Sequence, residues 1–123
     1  MDARTFQRLF EERIQRCHAK LGEKSAEYAD EDVLRNFKQA GHLERRTPRQ
    51  ALVGMMTKHV VSVYDLQHRE HVSEDMWDEK LTDTINYLLL LEACLAEEEM
   101  ERLSRMDAPA PAVAASPYMQ NEL

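Results

Sequence analysis

Glycine is nearly absent from this chain of 123 residues: only Gly22, Gly41 and Gly54 occur. Tight hairpin turns need positive-φ positions, so so few glycines argue against a β-rich fold. Proline is confined to Pro48 and to the last fifteen residues, which leaves long stretches free to form helix. There are two cysteines, Cys17 and Cys94, too far apart for metal-ligand spacing. In a reducing compartment both are expected to be buried thiols acting as small hydrophobes. Long apolar runs are also lacking. The longest, Ile85 to Leu91, is interrupted by Asn86 and is far too short to span a bilayer. The segment beginning Met1-Asp2-Ala3-Arg4 lacks the apolar centre of a secretory signal. A soluble, cytoplasmic protein is expected, without membrane contact.

Basic charge is in deficit, and the formal net charge is −7. A phosphate backbone would be repelled at long range, so general nucleic-acid binding is disfavoured. The cluster Arg45, Arg46 and Arg49 reads as a solvated corner between helices.

What is present is helical. Hydrophobic residues at 43% suffice for one core, and Leu, Glu, Ala, Arg and Met are good helix formers. Phe6, Leu9, Phe10, Ile14, Cys17 and Leu21 recur at helical spacing, predicting a first helix over 5–21 with Gly22 as a stop. Arg8, Glu12, Arg16 and Lys20 occupy its solvent face. A second helix is expected over 32–42, ended by a left-handed cap at Gly41. Thr47-Pro48-Arg49-Gln50 combines an N-cap, a first-turn proline and a capping box, and opens a third helix. Ser73 caps the fourth, with Val72 and Trp77 placed as a hydrophobic staple and a charged run, Glu97 to Arg105, extending it. Residues 1–106 are thus expected to form one helical domain, and 107–123, rich in Pro and Ala, a disordered tail.

Such helices can pack as an antiparallel four-helix bundle. In the fourth, Trp77, Leu81, Thr84, Leu88, Leu91 and Leu95 define the expected core face, and Leu89, Leu90 and Cys94 close the apolar circle. A helix apolar all round must be covered all round, so a homo-oligomer, most simply a dimer, is expected.

Polar residues interrupt these apolar faces. Glu79, Asp83 and Asn86 share a stripe whose carboxylates could hold a divalent cation, or which could be a solvated face. Lys58 could meet a phosphate or pair with Asp83. His59 reads as a core histidine, and His68 and His71 as surface residues. Lys24, Tyr28, Asn36 and Phe37 form a further group, with the aromatics suited to stacking on a base or to the core. Neither a glycine-rich phosphate loop nor a nucleophile elbow occurs.

Lys24-x-x-x-Tyr28, Asn36-Phe37, Lys58-His59 and Glu79-Lys80-Leu81-Thr82-Asp83-x-x-Asn86-Tyr87 together resemble a group of small phage proteins. More distantly they resemble the MazG-like all-α nucleoside triphosphate pyrophosphohydrolases. That resemblance implies a four-helix MazG-like bundle in the host cytosol that binds a nucleotide around Mg²⁺. Glu79 and Asp83 would hold the metal, and Lys58, Asn86, Lys24, Tyr28 and Asn36 the ligand. The helix from Lys58 to Asp65 lacks the acidic triad of those enzymes, and Lys80 stands where an acid would precede Asp83. A weak pyrophosphohydrolase or a non-catalytic nucleotide binder is therefore expected. The alternative is a helical interaction protein that engages another protein.

Overall fold

A computed structural model describes residues 1–27 and 32–110. It contains α1 (Ala3–Glu27), α2 (Arg35–Glu44), α3 (Pro48–Leu66) and α4 (Glu74–Asp107), and no strand among the described residues. None of these helices is long and apolar enough to cross a membrane. The Pro/Ala-rich segment expected to be disordered lies, from residue 111 on, outside the described residues.

Local chemistry explains the helix ends. Asp2 accepts the Thr5 amide at 2.7 Å and starts α1 two residues earlier than the apolar spacing suggests. Gly22 does not stop it, since one glycine costs only about 1 kcal/mol inside a helix. Asp32 instead forms a turn, its carboxylate accepting the Leu34 amide at 2.9 Å, and α2 begins at Arg35. The left-handed residue that ends α2 is Arg45 (φ 57°, ψ 45°), not Gly41. Gly41 serves a different need: a Cβ there would lie 2.7 Å from the carbonyl oxygen of Arg46. The chain turns so closely against α2 that only hydrogen fits.

Thr47 and Gln50 make the expected reciprocal capping box, with bonds of 3.2 and 3.0 Å. Ser73 caps α4 by accepting the Met76 amide at 3.2 Å. With 34 residues, α4 is about 50 Å long and forms the axis of the molecule.

The core lies among α2, α3 and α4, where Leu34, Phe37, Leu52 and Cys94 are buried and Met55, Tyr87, Leu90 and Leu91 pack against them. Arg49 near the start of α3 faces Glu98 near the end of α4, and His59 faces Asp83, so these two helices are antiparallel. α1 does not complete an antiparallel bundle. Among the described residues it packs on α4 alone, with Arg13 and Arg16 on Asp78 and Lys20 on Asp83, and therefore runs in the same direction as α4. Arg13 also donates to Thr82 at 2.9 Å, and Cys17 is buried beside this contact.

The side of α4 that faces inward also differs from expectation. Of the expected core face, Leu91 packs on the core and Trp77 and Thr84 are half-buried, but Leu81, Leu88 and Leu95 are 37%, 52% and 44% exposed, whereas Thr82 and Asn86 are buried. At 100° per residue the leucine line lies opposite Asn86. A helix apolar on every side does not reveal which side its neighbours cover, and here they cover Thr82, Asp83 and Asn86.

Candidate functional site

That inward polar stripe borders a cavity of about 490 Å³. Its walls are the second half of α1 (His18, Lys20, Leu21), the entry to α2 (Asn36, Phe37), Met55 of α3 and the middle of α4. The size is that of a small-molecule site. A second depression, beside Glu12, Gln15, Arg16 and Ala19, is a shallow groove on one face of α1 with no buried polar group.

Asn86 is the most unusual residue of the larger cavity. It is 6% exposed, and its side-chain Oδ1 has no hydrogen-bond partner among the described residues. Leaving a buried acceptor unpaired costs about 1–3 kcal/mol, so native folds rarely do so without a reason.

One turn earlier on α4, Asp83 accepts a hydrogen bond from the Lys20 ammonium, and its other oxygen lies 3.9 Å from His59 Nδ1. Burial holds the His59 imidazole below the usual histidine range, against the opposing pull of Asp83 and with help from Lys58, Lys80 and Lys20. The ring is accordingly neutral near pH 7. It packs on Tyr87 with centroids 4.7 Å apart, and Tyr87 meets Phe37 edge-on at 6.2 Å. Burial, reinforced by Asp83, raises the Tyr87 hydroxyl above its ordinary value and keeps it protonated. The site thus offers one unpaired amide acceptor, two aromatic rings, and a lysine shared with one carboxylate.

The residues singled out from the sequence are partly brought together. Asn36, Asp83 and Asn86 line the cavity. Lys58 does not: it is exposed on α3 and makes no ion pair among the described residues, and Asp83 is met by Lys20 instead. Glu79 is also outside, its side chain 58% exposed and 3.6 Å from Lys80. Lys24 belongs to α1, but its side chain, like the whole of Tyr28, lies outside the described residues. Among the described residues no group of three or more His, Cys, Asp or Glu side chains is placed to hold a metal ion. Magnesium needs several hard oxygen ligands, and Asp83, already matched by Lys20, does not form such a cage alone.

Sequence reasoning missed Lys20 and gave Tyr87 no role of its own. The four-residue spacing of Arg8, Glu12, Arg16 and Lys20 puts Lys20 on the solvent face of α1, yet Arg13, Cys17 and Lys20 follow i, i+4, i+7 spacing, and Cys17 sits on the apolar stripe. That line was the available signal. No protein-family model, curated protein or solved structure matches the chain.

Proposed function

We propose that the cavity binds a nucleotide, with the base between Phe37 and Asn86 and the phosphate end toward Lys20. The observation that carries this reading is the unpaired, buried Oδ1 of Asn86 in the wall of a 490 Å³ cavity. An acceptor with no protein partner in a cavity wall gains one when a ligand N–H arrives. Amino and imino groups on a base edge are such donors, and the aromatic rings of Phe37 and Tyr87 suit a flat heterocycle. Lys20 supplies the positive charge an anionic tail requires, and the ligand shares it with Asp83.

Because no group of described carboxylates is placed to hold a metal, the site acts as a binder that uses lysine charge rather than a protein-built magnesium cage. A thermal-shift series on the full chain with nucleoside mono- and triphosphates, with and without magnesium, tests it. A ligand that binds only the folded state raises the melting temperature by mass action. One base class should shift the melt without magnesium, and Lys20→Gln should reduce that shift. Flat melts with every nucleotide at millimolar concentration would rule the proposal out.

A further inference from the structure

The formally charged side chains in the described wall of the cavity balance, Lys20 and Arg35 against Asp83 and Asp32. Given the nucleotide reading of that cavity, we propose that its anionic end takes a single phosphate group, and that Asp83 is the residue that turns a triphosphate away. Size does not decide between the two ligands, since about 490 Å³ lies within the ordinary range of small-molecule sites. Charge does.

The two pairs are unequal. Arg35 and Asp32, at the entry to α2, are exposed, so water and salt screen them. Lys38 of the same helix is shared between Asp32 and Glu97 and has no charge to spare. Lys20 and Asp83 lie deeper, and not equally so: the lysine side chain is 36% exposed and the carboxylate 17%. The carboxylate is therefore the less screened of the two.

Any anion that reaches Lys20 also meets Asp83, which touches the same ammonium. One phosphate can share Lys20 with the carboxylate, because an ammonium has three N–H donors. A triphosphate brings roughly two more negative charges to the same place. The other cation of the described wall, Arg35, is offset there by Asp32, so the added charge meets Asp83 without compensation.

Isothermal titration of the full chain with each nucleoside, its 5′-monophosphate and its 5′-triphosphate tests this, for all four bases and with EDTA present. At about pH 8 the monophosphate is fully dianionic. For the base that binds, the monophosphate should bind more tightly than the nucleoside, and more tightly than the triphosphate by about tenfold. Raising potassium chloride from about 0.05 to about 0.5 M should narrow the gap between the two phosphates. Asp83→Asn, checked for helical circular dichroism, should narrow it at low salt by strengthening triphosphate binding. A triphosphate that binds as tightly as the monophosphate would overturn the proposal, as would a gap that salt leaves unchanged. A folded Asp83→Asn with the wild-type ratio would take Asp83 out of the selection. Failure of every nucleoside and nucleotide to bind would instead refute the nucleotide reading itself, and this inference with it.

Discussion

Replacing Asn86 with leucine should make the protein more stable and abolish its ligand binding. The side chain is 6% exposed and its Oδ1 has no protein partner among the described residues, so in the wild-type fold that acceptor depends on whatever enters the cavity. Leaving such an acceptor unmet costs about 1–3 kcal/mol, and leucine has the same branched shape with no polar atom to satisfy, its greater bulk being taken up by the adjoining cavity. The neighbours of the cavity, Leu89, Leu90 and Met55, are apolar and accept a leucine without a new mismatch. A net gain of about 1–2 kcal/mol is expected, which corresponds to a melting temperature about 4–10 °C higher. Urea unfolding followed by circular dichroism measures it, with the protein concentration held fixed and the slope m compared between variants. A loss of more than about 1 kcal/mol, at unchanged m, would refute the reasoning, because it would show that the amide is already engaged in the free protein. A stabilised variant that still binds nucleotide as tightly as wild type would separate the cavity from the function.

Gly41→Ala should destabilise by about 1–2 kcal/mol in urea unfolding, although helix propensity alone favours alanine by about 1 kcal/mol. The added Cβ would meet the Arg46 carbonyl at 2.7 Å, and a gain in stability would contradict that close approach. Leu52→Ala should cost about 2–5 kcal/mol in the same assay, since Leu52 is fully buried at the centre of the core. The His59 prediction concerns pH. Its folded value lies below the ordinary 6.5, so the unfolded chain takes up the proton first. Its contribution to stability is complete above pH 6.5 and is lost as pH falls below it. Thermal melts between pH 7.5 and about 5 should show that decline, and His59→Phe should flatten it while keeping a ring against Tyr87. An unchanged pH profile in that variant would contradict the assignment.

The parts of this fold that were legible in the sequence are those set by local chemistry. Thr47-Pro48-Arg49-Gln50 and Ser73 specify helix starts by hydrogen bonds within four residues, and the structure forms them. Gly41 was legible as a special residue but not for the right reason. Its constraint comes from the backbone of residues 46–48 folding back, which periodicity does not record. The inner face of α4 was hidden because leucines surround the helix, so hydrophobic spacing pointed equally to the side that α1, α2 and α3 leave uncovered. Within the site, Asn86 and Asp83 stood out as polar residues amid apolar ones. Lys20 did not, because it continues a charged face at i+4, and only the parallel docking of α1 turns it toward Asp83. Lys58 attracted attention by its neighbourhood in sequence, but α3 presents it to solvent.

The most direct test of nucleotide binding in the cavity is a residue-resolved NMR titration of the full chain. On addition of the nucleotide that gives the largest thermal shift, the side-chain amide of Asn86 and the ring signals of Phe37 and Tyr87 should move together. The methyl groups of Leu81, Leu88 and Leu95, on the opposite side of α4, should stay in place. Shifts confined to the leucine line, or a titration in which Asn86 does not respond, would contradict a ligand site built on that unpaired amide.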